Sequence, residues 1–258
     1  MSNETPYHIE GQGRSGRIVV ICDHASNLVP DFVNKGDLGL PKTDMNRHIA
    51  YDVGALGVSR QLAKLLNAPL VHSNFSRLVI DPNRGEDDPT LVMQLYDGSI
   101  IPANRHISQA DVKERLNKCY RPYHTALETV LASRKNPVII SIHTFTKQLN
   151  GYATRPWHVG VLYSKDERLS HPLLAELKTH KDLCVGDNQP YSGHLSGDTM
   201  DTHALHKNRI HALIEIRNDL VETPDTQNEW AEKLAPIFAE AIKTVENTEG
   251  QDGQTNRN

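Results

Sequence analysis

Three apolar runs in this chain end in residue types that suit metal-assisted hydrolysis. The stretch Arg17 to Pro30 reads RIVVICDHASNLVP, in which Ile18 to Cys22 gives way abruptly to Asp23, His24, Ser26 and Asn27. Val138 to Ile142 (VIISI) ends at His143, and Ile210 to Ile216 delivers Glu215 followed by Arg217. Neutral imidazoles are good zinc ligands, a catalytic zinc lowers the pKa of a water to ~7, and a nearby carboxylate can move the protons. The third protein ligand is the open question. The chain has no His-Glu-x-x-His helix, and the donors nearest His24 are Asn27, three residues on, and Asp23 beside it. An amide oxygen is the poorer zinc donor of the two. Each ending also has a structural alternative: Asp23, Ser26 and Asn27 can cap a helix while His24 pairs with one of them, and Glu215 can pair with Arg217.

A further polar landing follows the short run RLVI at Arg77 to Ile80, which leads into Asp81, Pro82, Asn83 and Arg84. In an extended chain Arg77, Val79 and Asp81 share one face. An arginine beside an asparagine is well suited to a carboxylate, because the guanidinium donates two parallel hydrogen bonds and the amide a third. A structural ion pair of Asp81 with Arg84 or Arg77 is the competing reading.

Short apolar runs that end in polar clusters are the pattern of buried strands in a parallel sheet, with the ligand crevice beyond their carboxyl ends. The spacing predicts strands at Ala68–Ser73, Arg77–Ile80, His158–Tyr163 and Asp182–Gly186 besides the three above. Asp44 is placed to cap a helix reaching Asn67, weakened or split at Gly54 and Gly57, with His48 and Asp52 four apart on one face. Ser108 with Asp111 forms a capping box for a helix carrying Val112, Leu116, Tyr120, Tyr123, Leu127 and Val130. Pro122 inside that pattern predicts a kink or break near Arg121, with His124 just beyond it. Helices are also expected at Pro172–Lys178 and Trp230–Val245, and Asp187–Asp201 reads as a mobile lid. These elements describe one α/β domain over residues 17–246, an N-terminal extension over 1–16 without chemistry, and a disordered polar tail over 247–258.

Composition narrows the function class. A chain of 258 residues with 38% hydrophobic residues and a net charge of -4 is long enough for a sizeable core and has no basic field for nucleic acid or an anionic membrane. No apolar run is long enough to span a bilayer and no secretion signal opens the chain, so a cytoplasmic protein is expected. Cys22, Cys119 and Cys184 are odd in number and widely spaced, which fits reduced thiols rather than a disulfide frame. The 14 histidines are the anomaly.

The motifs CDHASN, SRLVIDPNR, RPYH, SIHTF, RPWHVGVLY, GDNQPYSG and IEIRNDL occur in this order between Cys22 and Leu220. Together they resemble the N-formylglutamate amidohydrolase family. That family is similar in fold to the zinc carboxypeptidase and aspartoacylase class, a phosphorylase/hydrolase-like mixed, mostly parallel sheet with helices on both faces. The resemblance implies a metal-dependent hydrolase, most simply a zinc enzyme, that cleaves the formyl amide of N-formyl-L-glutamate or a similar N-acyl acidic amino acid, a reaction of histidine degradation. It carries over His24 with Asn27 as the first metal motif, Arg77, Asn83 with Arg84, His143 as the second metal histidine, and Glu215 as the base. Asn27 stands where that class has an acid. The roles implied are metal binding by His24 and His143 with Asn27 or Asp23, oxyanion stabilisation by Arg77, grip of the substrate α-carboxylate by Asn83 and Arg84, and contact with the side-chain carboxylate by Arg217. The rival readings are a deacylase or small carboxypeptidase of other specificity, and a carboxylate-binding protein without catalysis. A panel of N-formyl and N-acetyl amino acids separates the first, metal analysis the second.

Overall fold

The computed structural model describes residues 5–193 and 195–255. Seven strands form one sheet: β1 Tyr7–Glu10, β2 Ile18–Cys22, β3 Leu70–Ser73, β6 Val138–Phe145, β7 Val159–Leu162, β8 Val185–Asp187 and β9 Ile210–Arg217. A separate small hairpin pairs β4 Leu95–Tyr96 with β5 Ser99–Ile100. The spatial order is β1-β3-β2-β6-β9-β7-β8. β3, β2, β6 and β9 run parallel, β1 is antiparallel to β3, and β7, itself parallel to β8, is antiparallel to β9.

Alternation along the strands explains why the sheet is covered on both faces. Val20 and Cys22 of β2, Ile140 and Ile142 of β6, and Ile210, Ala212, Ile214 and Ile216 of β9 pack in one core. There they meet α2 Ala55–Leu65, α5 Ser170–Thr179 and α7 Pro224–Thr255. Val19, Ile21, Ile139 and Leu213 face the opposite way into a second core, with Tyr123, Leu127 and Leu131 of α4 Arg121–Ala132. A period of two with both sets apolar is what a sheet buried on both sides requires. The result is a single α/β domain with a mostly parallel mixed sheet.

From β2 the chain moves first to β3 on one side and later to β6 on the other. The direction of winding therefore reverses between β2 and β6, and a crevice opens beyond their carboxyl ends. His24, His143 and Glu215 lie at that end of three adjacent strands. His143 and Glu215 are register partners in the β6–β9 ladder.

Several local expectations change. The stretch expected as one helix from Asp44 to Asn67 is α1 Lys42–Met45, an irregular loop, and α2. Gly54 makes the break: its φ is 82°, and a Cβ there would collide with the Val221 carbonyl. His48 and Asp52 thus sit in the loop rather than on a helix. Arg77–Ile80 is a turn, not a strand, because Ser76 Oγ accepts from Leu78 N and the backbone closes Val79 N onto Ser76 O. The N-terminal extension contributes β1, whose pairing with β3 covers an edge of the sheet. The tail expected to be disordered from 247 continues α7 as far as Thr255. Residues 256–258 lie outside the described part, as do 1–4. The Ser108–Asp111 capping box is present on α3 Gln109–Arg115. Ahead of Pro122 the backbone opens into a π-turn at Leu116–Tyr120, which lets α4 start afresh at Arg121.

Candidate active site

His24 stands two residues past the last ladder pair of β2, at Cys22, and its backbone carbonyl accepts from Asp52 N at 2.9 Å. That bond draws the loop before α2 against the strand end. Asn27 secures the same loop: its Nδ2 donates to Met45 O at 2.8 Å and Asn46 Oδ1 at 3.2 Å. Asn27 is therefore committed to the Met45 carbonyl and the Asn46 side chain and does not join the histidines. The residue that does join them is Asp52.

The His24 and His143 ring centroids are 4.9 Å apart. His24 Nδ1 lies 3.3 Å and His143 Nδ1 2.8 Å from the same oxygen, Asp52 Oδ2. One donor atom from each of His24, Asp52 and His143 falls within 4.8 Å of the others, and all three residues are buried. The far nitrogens face carboxylates as well: His24 Nε2 is 2.7 Å from Asp81 Oδ1, and His143 Nε2 is 3.2 Å from Asp23 Oδ2. A carboxylate behind each imidazole fixes its tautomer and makes the opposite nitrogen the better ligand, a recurrent arrangement in metal sites. Asp23, expected as a possible ligand, stands in this outer position. Tyr123 Oη and Thr199 Oγ1 donate to its Oδ1 at 2.7 and 2.9 Å.

Burial opposes ionisation of these carboxylates, but the histidines and Arg77 prevail. The hydrogen bond and charge of His143 hold Asp23 below its usual range. Asp52 is lowered by the charge of His24 and the bond to His143. Arg77 is the leading influence that keeps Asp81 well below its usual range. Arg77 donates to Asp81 Oδ2 through Nη2 at 2.7 Å and Nε at 3.1 Å, with Nη1 3.5 Å from Asp52 Oδ1. Burial likewise works against a charged His143, but the bonds to Asp23 and Asp52 push its pKa well above the usual value.

Glu215 differs from these acids. Its Oε2 is buried with no hydrogen-bond partner among the described residues. Burial pushes its pKa up to about 7, with Asp52 adding and His143 opposing. Opposite it in the β7–β9 ladder is Gly160, where a Cβ would strike the Gln189 carbonyl, so only glycine lets the 187–193 loop close over this carboxylate.

A cavity of about 190 Å³ is lined by His24, Asp52, His143 and Glu215 together with Arg77, Asn83 and Arg84. Asn83 Oδ1 accepts from Thr199 N at 3.1 Å, which orients its amide. Arg84 is braced by Thr90 Oγ1 and by its neighbour's carbonyl, not by Asp81. Arg217 is not part of this lining. Its Nε donates to Asp219 Oδ1 at 2.7 Å and its Nη1 faces the carbonyls of residues 155–157 at 3.4–3.5 Å, so it anchors the chain ahead of β7. The contact with a substrate side chain expected of it is withdrawn, and so is its pairing with Glu215.

Asp52 was the residue sequence reasoning passed over. Its spacing from His48 suggests a helical face, and no local pattern marks its contact with His24. The competing reading of Asp81 is an ion pair with Arg84 or Arg77, and Arg77 is its partner. Asp81 is also the carboxylate behind His24.

Donors from adjacent strand ends, an uncommitted carboxyl group and a small cavity lined by arginines define an amidohydrolase, an α/β enzyme that acts on amides. The sequence matches the N-formylglutamate amidohydrolase family over residues 16–222, and the chain belongs to that family. A gene product of Agrobacterium tumefaciens has a similar structure with a TM-score of 0.89 and 31% identity, covering 94% of this chain and 97% of its own. An N-formylglutamate amidohydrolase from Ralstonia eutropha shares the fold with a TM-score of 0.62 and 20% identity, over 95% of this chain and 98% of that one. A search of the curated proteins finds no match. Among the described residues no helix is long and apolar enough to cross a membrane.

Proposed function

We propose that this amidohydrolase is metal-dependent and removes the formyl group from N-formyl-L-glutamate or a closely similar N-acyl acidic amino acid. The observation that carries the reading is the convergence of His24, Asp52 and His143 beside the unpartnered Oε2 of Glu215. Two imidazole nitrogens and one carboxylate oxygen suit zinc, and the outer Asp23 and Asp81 suit histidine ligands. Bound there, such an ion would polarise the amide carbonyl and acidify a water.

The protein's own groups supply the remaining chemistry. Glu215, with a pKa of about 7, takes the proton of the attacking water and returns it to the leaving nitrogen. Arg77, locked on Asp81 and next to Asp52, presents fixed positive charge where the amide oxygen turns anionic. Asn83 and Arg84, which line the same cavity, grip the α-carboxylate. The cavity of about 190 Å³ is smaller than the ~300–1,000 Å³ of drug-sized sites, which favours a single small amino-acid derivative.

The test is formate release from N-formyl-L-glutamate against N-formyl-alanine and N-acetyl-L-glutamate, run with metal analysis of the purified protein. The expected outcome is one equivalent of divalent metal and preference for the formylated acidic substrate. Turnover that survives exhaustive chelation would refute the metal role, and equal rates across the panel would refute the substrate.

A further inference from the structure

The motif RPYH places His124 on α4, outside the site described above. His124 Nε2 lies 3.0 Å from the carbonyl of Pro82, the residue before Asn83 and Arg84. Its Nδ1 lies 2.9 Å from Nε2 of His203, and Nδ1 of His203 lies 3.0 Å from Glu128 Oε2. The two ring planes are 9° apart with centroids 5.1 Å apart, so the nitrogens meet nearly edge to edge. Arg209 grips both oxygens of Glu128, at 2.7 and 2.8 Å, which keeps that carboxylate in place and charged.

Counting protons along this chain gives a definite result. Its two ends, a carbonyl and a carboxylate, can only accept, so the nitrogen facing each must carry hydrogen. The contact between the rings needs a third. Two neutral imidazoles hold two protons in all, so three hydrogen bonds require one extra proton shared by the pair.

We propose that His124 and His203 are positioning residues, an imidazole pair sharing one proton, that fix the Pro82–Arg84 turn for substrate binding. Other bonds hold the same turn: Tyr120 Oη donates to Arg84 O at 2.7 Å, Thr199 N on α6 Thr199–His203 donates to Asn83 Oδ1 at 3.1 Å, Asn83 N donates to Asp81 Oδ1 at 2.9 Å, and Arg84 Nη1 donates to Asn83 O at 2.7 Å. His203 closes that same short helix, so His124 joins α4 to both segments that hold Asn83. The charged and titratable groups facing the pair are Tyr120, Tyr123 and Glu128 on the π-turn and α4, Glu86 after the turn, Asp23 at the end of β2, and Arg209 before β9. Burial lowers both histidines; Asp23 opposes this at each, with Glu86 at His124 and Glu128 at His203. Burial is the main cause of the lowering of His124 to about 4, with the charge of His203 adding, so the hydrogen bonds along the chain hold the shared proton against burial.

This proposal rests on the substrate role of Asn83 and Arg84, and its test is read separately from that role. In the metal-loaded full-length protein, His203→Leu should raise KM for N-formyl-L-glutamate about tenfold with kcat within about a factor of two. His203→Gln keeps a donor toward His124 and should restore KM. Tyr120→Phe removes an independent support of the same turn with little change of shape, and should raise KM in the same sense. Nitrogen-15 NMR of labelled histidine should show the two rings taking up a single proton together. Rings that titrate independently, or an unchanged KM in both His203→Leu and Tyr120→Phe, would overturn the proposal. If wild-type protein turns over none of the panel, calorimetric binding of L-glutamate replaces KM and the same outcomes decide.

Discussion

Replacing Glu215 by glutamine should make the protein more stable at alkaline pH while abolishing turnover, and both effects follow from one buried oxygen. The folded-state pKa of about 7 stands above the ordinary 4.5, chiefly through burial. Below pH 4.5 both folded and unfolded chains hold the proton, and the group costs nothing. Between 4.5 and about 7 the unfolded chain releases it while the folded chain retains it, so stability falls as pH rises. Above about 7 the loss is complete and amounts to about 3 kcal/mol, from ~1.36 kcal/mol per pH unit over that interval. Glutamine never ionises and escapes this cost. Any packing or hydrogen-bond change brought by the amide acts equally at all pH values, so the informative quantity is the variant-minus-wild-type stability at pH 8 less that at pH 5. Urea unfolding of the metal-free proteins should give about 2–3 kcal/mol for this difference. Formate release should fall ~10²–10⁴-fold in the variant, and wild-type activity should rise with pH along a limb at or below about 7 as the base ionises. A stability difference independent of pH would refute the burial argument, and undiminished turnover would refute the role of base.

Asp52→Asn should leave purified protein with well under one equivalent of metal, whereas Asn27→Ala should keep its metal and lose only about 1 kcal/mol of stability with the bonds to residues 45 and 46. Metal content by elemental analysis separates the two, and a reversed outcome would restore Asn27 as the ligand. Asp81→Asn removes the charge behind His24 Nε2 and should weaken metal affinity ~10–100-fold, measured by competition with a chromogenic chelator. Unchanged affinity there would mean that the carboxylate serves Arg77 alone.

What the sequence revealed was governed by periodicity and what it hid was governed by long-range contact. The alternation of Ile210, Ala212, Ile214 and Ile216 against Leu213 and Glu215 was readable because a buried strand has period two, and both sets face the cores assigned to them. His24, His143 and Glu215 could be picked out because each follows such a run. Asp52 could not, because no local pattern records that its backbone N–H bonds to the carbonyl of a residue 28 positions earlier. The turn at Arg77–Ile80 was misread as a strand for the reverse reason: Leu78, Val79 and Ile80 are buried beneath loops, and apolar runs of that length look alike in a strand and in a buried turn. Arg217 shares its strand face with Glu215 in the pattern, yet the carbonyls of 155–157 and Asp219 capture it at the strand's end.

For a divalent ion bound at this cluster, charge balance would favour an acid as the third donor. Asp23, Asp52 and Asp81 are all held below their usual range and are anionic, and Arg77 returns one positive charge, so with neutral imidazoles the buried cluster carries a net charge of about −2. Uncompensated charge at that depth is costly. The protein by itself relieves the excess by favouring protonated His143 between Asp23 and Asp52. A divalent cation relieves all of it and leaves both imidazoles neutral, the form in which their Nδ1 atoms can ligate. The surroundings that raise the pKa of His143 are thus the surroundings that would hold a dication, and metal capture here must expel protons. With Asn27 in place of Asp52 the same balance would leave a positive remainder.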